Sequence, residues 1–138
     1  MRFLKLNIEC LRDTLLVIEE EHKITYENGV HRLSISDIVK IEELNEKYSK
    51  DDIQYSVKQM ADAKLISFDA ISTDWKTIHQ NTIGDITPEG HEFLENMRTE
   101  ENWSKVKEIS HKVGSKSLSV LTSIAGKVIA EMIGNQIK

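Results

Sequence analysis

A chain of 138 residues, 39% apolar and 30% charged, is the size of one small domain with an appendage and can bury a core without metal or disulfide support. Its single cysteine, Cys10, excludes an intrachain disulfide framework and a multi-cysteine zinc site. A formal charge of -5 argues against a protein that coats nucleic acid non-specifically, because neutralising phosphates takes clustered Lys and Arg.

Near the start, Lys5, Glu9, Arg12 and Asp13 interrupt the apolar residues, so no export signal is read there and a cytoplasmic location is expected. From Asn7 to His22, the residues Ile8, Leu11, Leu15, Ile18 and His22 share one helical face, while Cys10 and Val17 lie on the other. That pattern predicts a first helix covered on two sides. Glu19, Glu20 and Glu21 crowd its C-terminal end, where the dipole disfavours negative charge, so it should stop before Lys23. Asn28-Gly29 is a turn signal. Around it, Ile24 to Tyr26 and Val30 to Leu33 either pair as a short hairpin or run as an extended loop.

Ser34 or Ser36 can cap a second helix carrying Ile38, Val39, Ile41 and Leu44 as far as Lys47. Tyr48 and Ser49 lead tightly into a third, giving a helix-turn-helix pair. Ser49 with Asp52 forms an S-x-x-D start, in which hydroxyl and carboxylate satisfy orphan backbone N–H groups. Ile53, Val57, Met60 and Ala61 then bury one stripe and leave Asp51, Tyr55, Lys58, Gln59 and Asp62 facing outward. Leu65, Ile66, Phe68 and Ile71 form a β-prone run, Ser72 to Thr82 a polar loop, and Ile83 to Ile86 a returning strand.

Thr87-Pro88-Glu89 supplies a capping hydroxyl, a proline at the first helical position and a first-turn acid, the clearest helix start in the chain. Phe93, Leu94 and Met97 give that helix its apolar face. Thr99-Glu100-Glu101 restarts a helix through Trp103, Val106 and Ile109, which Gly114 should end. The last segment is more apolar. Leu118, Leu121, Ala125, Val128, Ile129 and Met132 form a broad stripe, and Thr122, Gly126, Ala130 and Gly134 a ridge of small residues at every fourth position. Such a ridge admits a close backbone, so packing within the chain or a homodimer through Leu118, Leu121, Gly126, Ala130 and Gly134 is expected. Lys127 and Glu131 interrupt the roughly 20 apolar residues that a membrane span needs, so the membrane is not an expected partner.

The order of elements is that of a mainly α protein with a small β-hairpin, in the α+β class: a winged helix-turn-helix over residues 1–98 with extra C-terminal helices over 99–138. For catalysis the signals are sparse. His22, His31, His79, His91 and His111 are scattered, without an H-E-x-x-H pair, a Gly-rich phosphate loop or a G-x-S-x-G elbow. His91 and Glu95, one helical turn apart, are the best local metal pair but lack further ligands. Cys10, on a helix face, suits buried packing better than thiolate chemistry. No catalytic residue, metal or cofactor is therefore expected.

For DNA, an outward helical face can enter a major groove and read base edges, which selects Tyr55, Lys58 and Gln59, with Lys76 and His79 reaching out from the loop between the strands. Asp51, Asp52 and Asp62 surround the same face and repel phosphate. Trp75, on that loop, suits a protein contact better than a base. Two readings follow: a DNA-binding or regulatory module, and an acidic adaptor for a protein partner without nucleic acid.

The runs LRDTLLVIEEE, DDIQYSVKQMADAKLI and ITPEGHEFLENMRTEENWSKVKE resemble the domain of unknown function family 2513, a set of small proteins of phages and prophages. The segment from Thr87 to Lys105 is the most specific part, its helix entry written here as Ile86-Thr87-Pro88-Glu89-Gly90-His91. The resemblance implies a winged helix, a phage or prophage setting and a host or phage protein as partner, and it brings no catalytic motif.

Overall fold

A computed structural model describes residues 6–22, 24–27, 29–30, 33–70, 82–113 and 118–137. Helix α1 spans Ile8–Glu21, with Asn7 Oδ1 accepting from the N–H groups of Glu9 and Cys10. Ile8, Leu11, Leu15 and Ile18 are buried on one face and Cys10 and Val17 on the other, so both sides of α1 are covered as the pattern predicted. The helix ends beneath its acidic run, where the His22 backbone N–H donates to Ile18 O, and the His22 imidazole Nε2 lies 3.4 Å from Asp85 Oδ1. Burial raises the Cys10 thiol pKa, which keeps it protonated beside Thr14.

The turn after α1 is a hairpin. Strand β1 (Ile24–Thr25) pairs antiparallel with β2 (Gly29–Val30), and Gly29 adopts φ +68, which a residue with a Cβ rarely tolerates. Leu33 does not extend that hairpin. It opens β3 (Leu33–Ser34), which joins a separate sheet.

The expected second helix is split. Ser34 Oγ accepts from the Asp37 N–H while Asp37 accepts from the Ser34 N–H, a reciprocal box that starts α2 (Ile35–Ile38). Ile41 then sits in an extended conformation before α3 (Glu42–Asn45). The break follows from helical phase. At about 100° per residue, Leu44 on an unbroken helix would point opposite Ile35. Interrupting the helix at Ile41 turns both into the core, at 1% and 0% exposure.

Helix α4 (Lys50–Asp62) starts where Ser49 Oγ accepts from the Asp52 N–H, and Ile53, Val57 and Met60 are buried with Ser56, a core position that apolar periodicity misses. Lys64 turns the chain with φ 64 into β4 (Ile66–Ala70), which pairs antiparallel with β5 (Thr82–Ile86). The sheet order is β3-β5-β4. Its register slips between Ser67 and Phe68, where Gly84 is the extra residue on β5.

Helix α5 (Pro88–Met97) is stitched to the turn before β4. Thr87 N–H donates to Leu65 O at 3.0 Å, Thr87 Oγ1 donates to Lys64 O and accepts from the Gly90 N–H. Gly90 packs so closely that a Cβ there would fall 2.0 Å from Leu65 O. Helices α6 (Glu100–Val113) and α7 (Leu118–Ile137) complete the chain, both packing on α5 and on each other.

The α5–α6 junction is held by two arginines. Arg12 of α1, 8% exposed, donates to Met97 O and Arg98 O, both at 2.9 Å, and lies over the Trp103 ring at 5.3 Å. Arg98 grips both carboxylate oxygens of Glu19 and also donates to Glu95, which holds the Glu19 carboxyl below the usual carboxylate range. One continuous core runs from Leu6 through α1, α4 and the sheet into Trp103, Val106 and the first half of α7. The result is a mainly helical α+β protein with a small three-stranded antiparallel sheet among the described residues.

Candidate functional site

The outward side of α4 is set by its own helical phase. With Ile53, Ser56, Val57 and Met60 turned inward, Asp51, Tyr55, Lys58 and Asp62 line the opposite side, flanked by Gln54 and Gln59. Asp51 and Asp62 are exposed, while Tyr55, Lys58 and Gln59 are half-buried. Tyr55 packs in part against the core, so its ring is less available than the sequence suggests. Lys58 Nζ is bound by Asp62 one turn on, which neutralises the one cation of the face. The charge left over is the negative charge of Asp51.

The turn into α4 is rigid. Tyr48 donates to Asp13 Oδ2 at 2.6 Å, which ties it to α1, and burial together with that carboxylate raises the tyrosine pKa well above its ordinary value. Beside this tie, Asp13, Glu20, Glu43 and Lys47 rim a shallow hollow of about 160 Å³ between α1 and α3, with Leu16, Val17 and Leu44 beneath. The surfaces of α4 and of the α1–α3 hollow therefore present acid rather than base.

Trp75, Lys76 and His79 lie outside the described residues, as does Gly114. His91 and Glu95 are both exposed, and Glu95 is engaged by Arg98. Among the described residues no three of His, Cys, Asp and Glu gather in a way that could hold a metal.

On α7, Leu118 and Leu121 are buried inside the chain, at 3% and 2% exposure. Their place in a docking face is corrected: packing on α5 and α6 uses both side chains. Gly126, Ala130 and Gly134 are exposed, and a Cβ at either glycine would meet nothing within 4 Å. Ile124 joins the buried side, a position the stripe read from sequence omits, whereas Ile129 is half-buried. Among the described residues no helix is long and apolar enough to cross a membrane.

A second hollow, of about 350 Å³, opens between α5 and α7. Leu65 and Phe93 line it, with Glu89, Glu92 and Asn96 from α5 and Ser119, Thr122 and Gly126 from α7. The sequence reading missed it, because its walls come from three separate segments. The signal that could have found it is Ser119, Gly126 and Ile133 at seven-residue spacing on one helix face.

A family model described as Hypothetical protein (DUF2513) matches residues 5–116, from the start of the chain past the end of α6. The chain belongs to this family. The match to DUF2513 spans α1 to α4, the sheet, Gly90 and the arginine-held junction, and ends before α7. No curated protein and no solved structure matches the chain.

Proposed function

We propose that this DUF2513 protein is a non-enzymatic winged-helix module of regulatory type whose α4 face recognises a partner protein rather than a phosphate backbone. The winged-helix reading is supported by the order α1, β3, α2, α3, α4, β4, β5 and by β3 pairing with β5 beside β4. The observation that carries the protein reading is the charge of the α4 face: Asp51 and Asp62 stand exposed and Lys58 is bound to Asp62. A face of that charge gains little from counterion release on DNA. The partner is a host or phage protein in a phage or prophage setting, and Trp75, which falls between β4 and β5 in the sequence, is the aromatic anchor.

DNA binding is the second reading, favoured by the helix-turn-helix itself and by Gln59, whose amide can bond an adenine edge. Mobility shift on the DNA around the protein's own gene, over a salt series, separates the two. The protein reading expects no specific shift even at low salt. A specific shift that falls steeply with salt and disappears in Lys58→Glu or Gln59→Ala overturns it in favour of DNA.

A further inference from the structure

Helix α7 is seated over only part of its length. Leu118, Leu121, Ile124, Ala125 and Val128 are buried, whereas Ile133, further along, is 51% exposed, one of two large apolar side chains so open among the described residues. Ser119, Gly126 and Ile133 are seven residues apart, so each is about 20° from the next and the three stay within about 40° around the helix. Ile133 therefore stands on the same side of α7 as the wall of the α5–α7 hollow, beyond its end.

We propose that this hollow seats the α7 helix of a second copy of the chain, the two helices running antiparallel about Gly126. In such an isologous pair, contacts are reciprocal. Centring on Gly126 sets Ile133 of each chain opposite Ser119 of the other, at the hollow floored by Leu65 and Phe93, and sets Thr122 opposite Ala130. The side chain that lacks cover and the hollow that lacks an occupant thus meet in one register. Room for the approach exists, since nothing stands within 4 Å of a Cβ built at Gly126.

The two halves of this fit, the uncovered Ile133 and one wall of the hollow, lie on the same helix, which favours a copy of the same chain. The rim carries Glu89 and Glu92, both exposed, and no basic residue lines the hollow. Helix α7 carries one exposed base, Lys127, and one exposed acid, Glu131, about 100° and 140° around the helix from Gly126, so neither faces that rim. The interface uses none of the α4 residues, so it stands or falls apart from the partner-protein reading.

Light scattering of the full chain over a concentration series tests it. The expected result is a species of twice the 15.8 kDa chain mass, with Ile133→Asp raising the dissociation constant about tenfold or more. Gly126→Leu should do the same while leaving the melting temperature of the separated chain unchanged or higher, because helical glycine is unfavourable. A Gly126→Cys chain should form a covalent dimer on oxidising gels, which the buried Cys10 of the parent chain does not. A 15.8 kDa species at every concentration up to about 100 μM overturns the inference. So does a dimer indifferent to both Ile133→Asp and Gly126→Leu, or a Gly126→Cys chain that stays uncrosslinked.

Discussion

The outer side of α4 and the outer side of α7 are both open, and they are open in different ways. On α4 the exposed groups are charged, and the cation is already held by a carboxylate one turn away. On α7 the side lined by Gly126, Ala130 and Gly134 leaves the backbone approachable and Ile133 stands out, with exposed Lys127 and Glu131 further around the helix. A charged, internally paired face loses little in water and suits a partner that comes and goes. An uncovered isoleucine gains from any permanent cover, and covering the exposed half of Ile133 contributes about 1 kcal/mol. The contrast separates the recognition proposed for α4 from the assembly proposed for α7.

The change expected to break both faces together is Gly90→Ala. Its new methyl would overlap Leu65 O, part of the backbone that carries β4, so α5 must lift away from the sheet and take α7 with it. We expect a loss on the order of 3 kcal/mol in urea unfolding. Arg12→Ala should act next, at about 2–3 kcal/mol, because the Met97 and Arg98 carbonyls lose their buried donor. Hydrogen exchange would sharpen the contrast here, with protection falling first in α6 and α7 and α4 keeping more of its own.

Ser49→Ala reaches only the α4 side. It removes the acceptor for the Asp52 N–H, and a cost of about 1 kcal/mol, read as fraying of the first turn by amide exchange, is expected. The smallest effect is acid sensitivity. Arg98 depresses the Glu19 pKa, so this pair's contribution is complete above the unfolded-state carboxylate pKa and is lost as pH falls through the folded one. Both side chains are partly exposed, which keeps the contribution under about 1 kcal/mol. Glu19→Gln should flatten the acid limb of a stability-against-pH curve, and an unchanged limb would show that other carboxylates set it.

Much of the fold was legible because it rests on local chemistry. The caps at Ser49 and Thr87 and the apolar buried residues of α1 and α4 follow from spacing, whereas Ser56, Arg12 and Thr14 are buried without such a signal and the choice of Ser34 over Ser36 as a cap does not follow from it. The break at Ile41 was not, since it is imposed by where Leu44 must point once the core exists. The hairpin before β3 was left open between two readings, and Leu33 changed sheets because its partner, Ile83, lies fifty residues on. The candidate site was less legible for the same reason. Lys58 and Gln59 could be named from helical phase, but whether a lysine is held by Asp62 or a hollow opens under Phe93 depends on rotamers and on segments far apart in sequence.

Arg12 bears on the order in which the chain acquires its shape. Its hydrogen-bond acceptors are 85 to 88 residues downstream, so α1 cannot complete its contacts until the turn after α5 has left the ribosome. Until then Leu11, Leu15 and Ile18 belong to a helix without its full cover. A nascent chain halted at Ile86 would carry the complete helix-turn-helix and still leave α1 undocked at one end, which makes the DUF2513 fold a late event in its own synthesis.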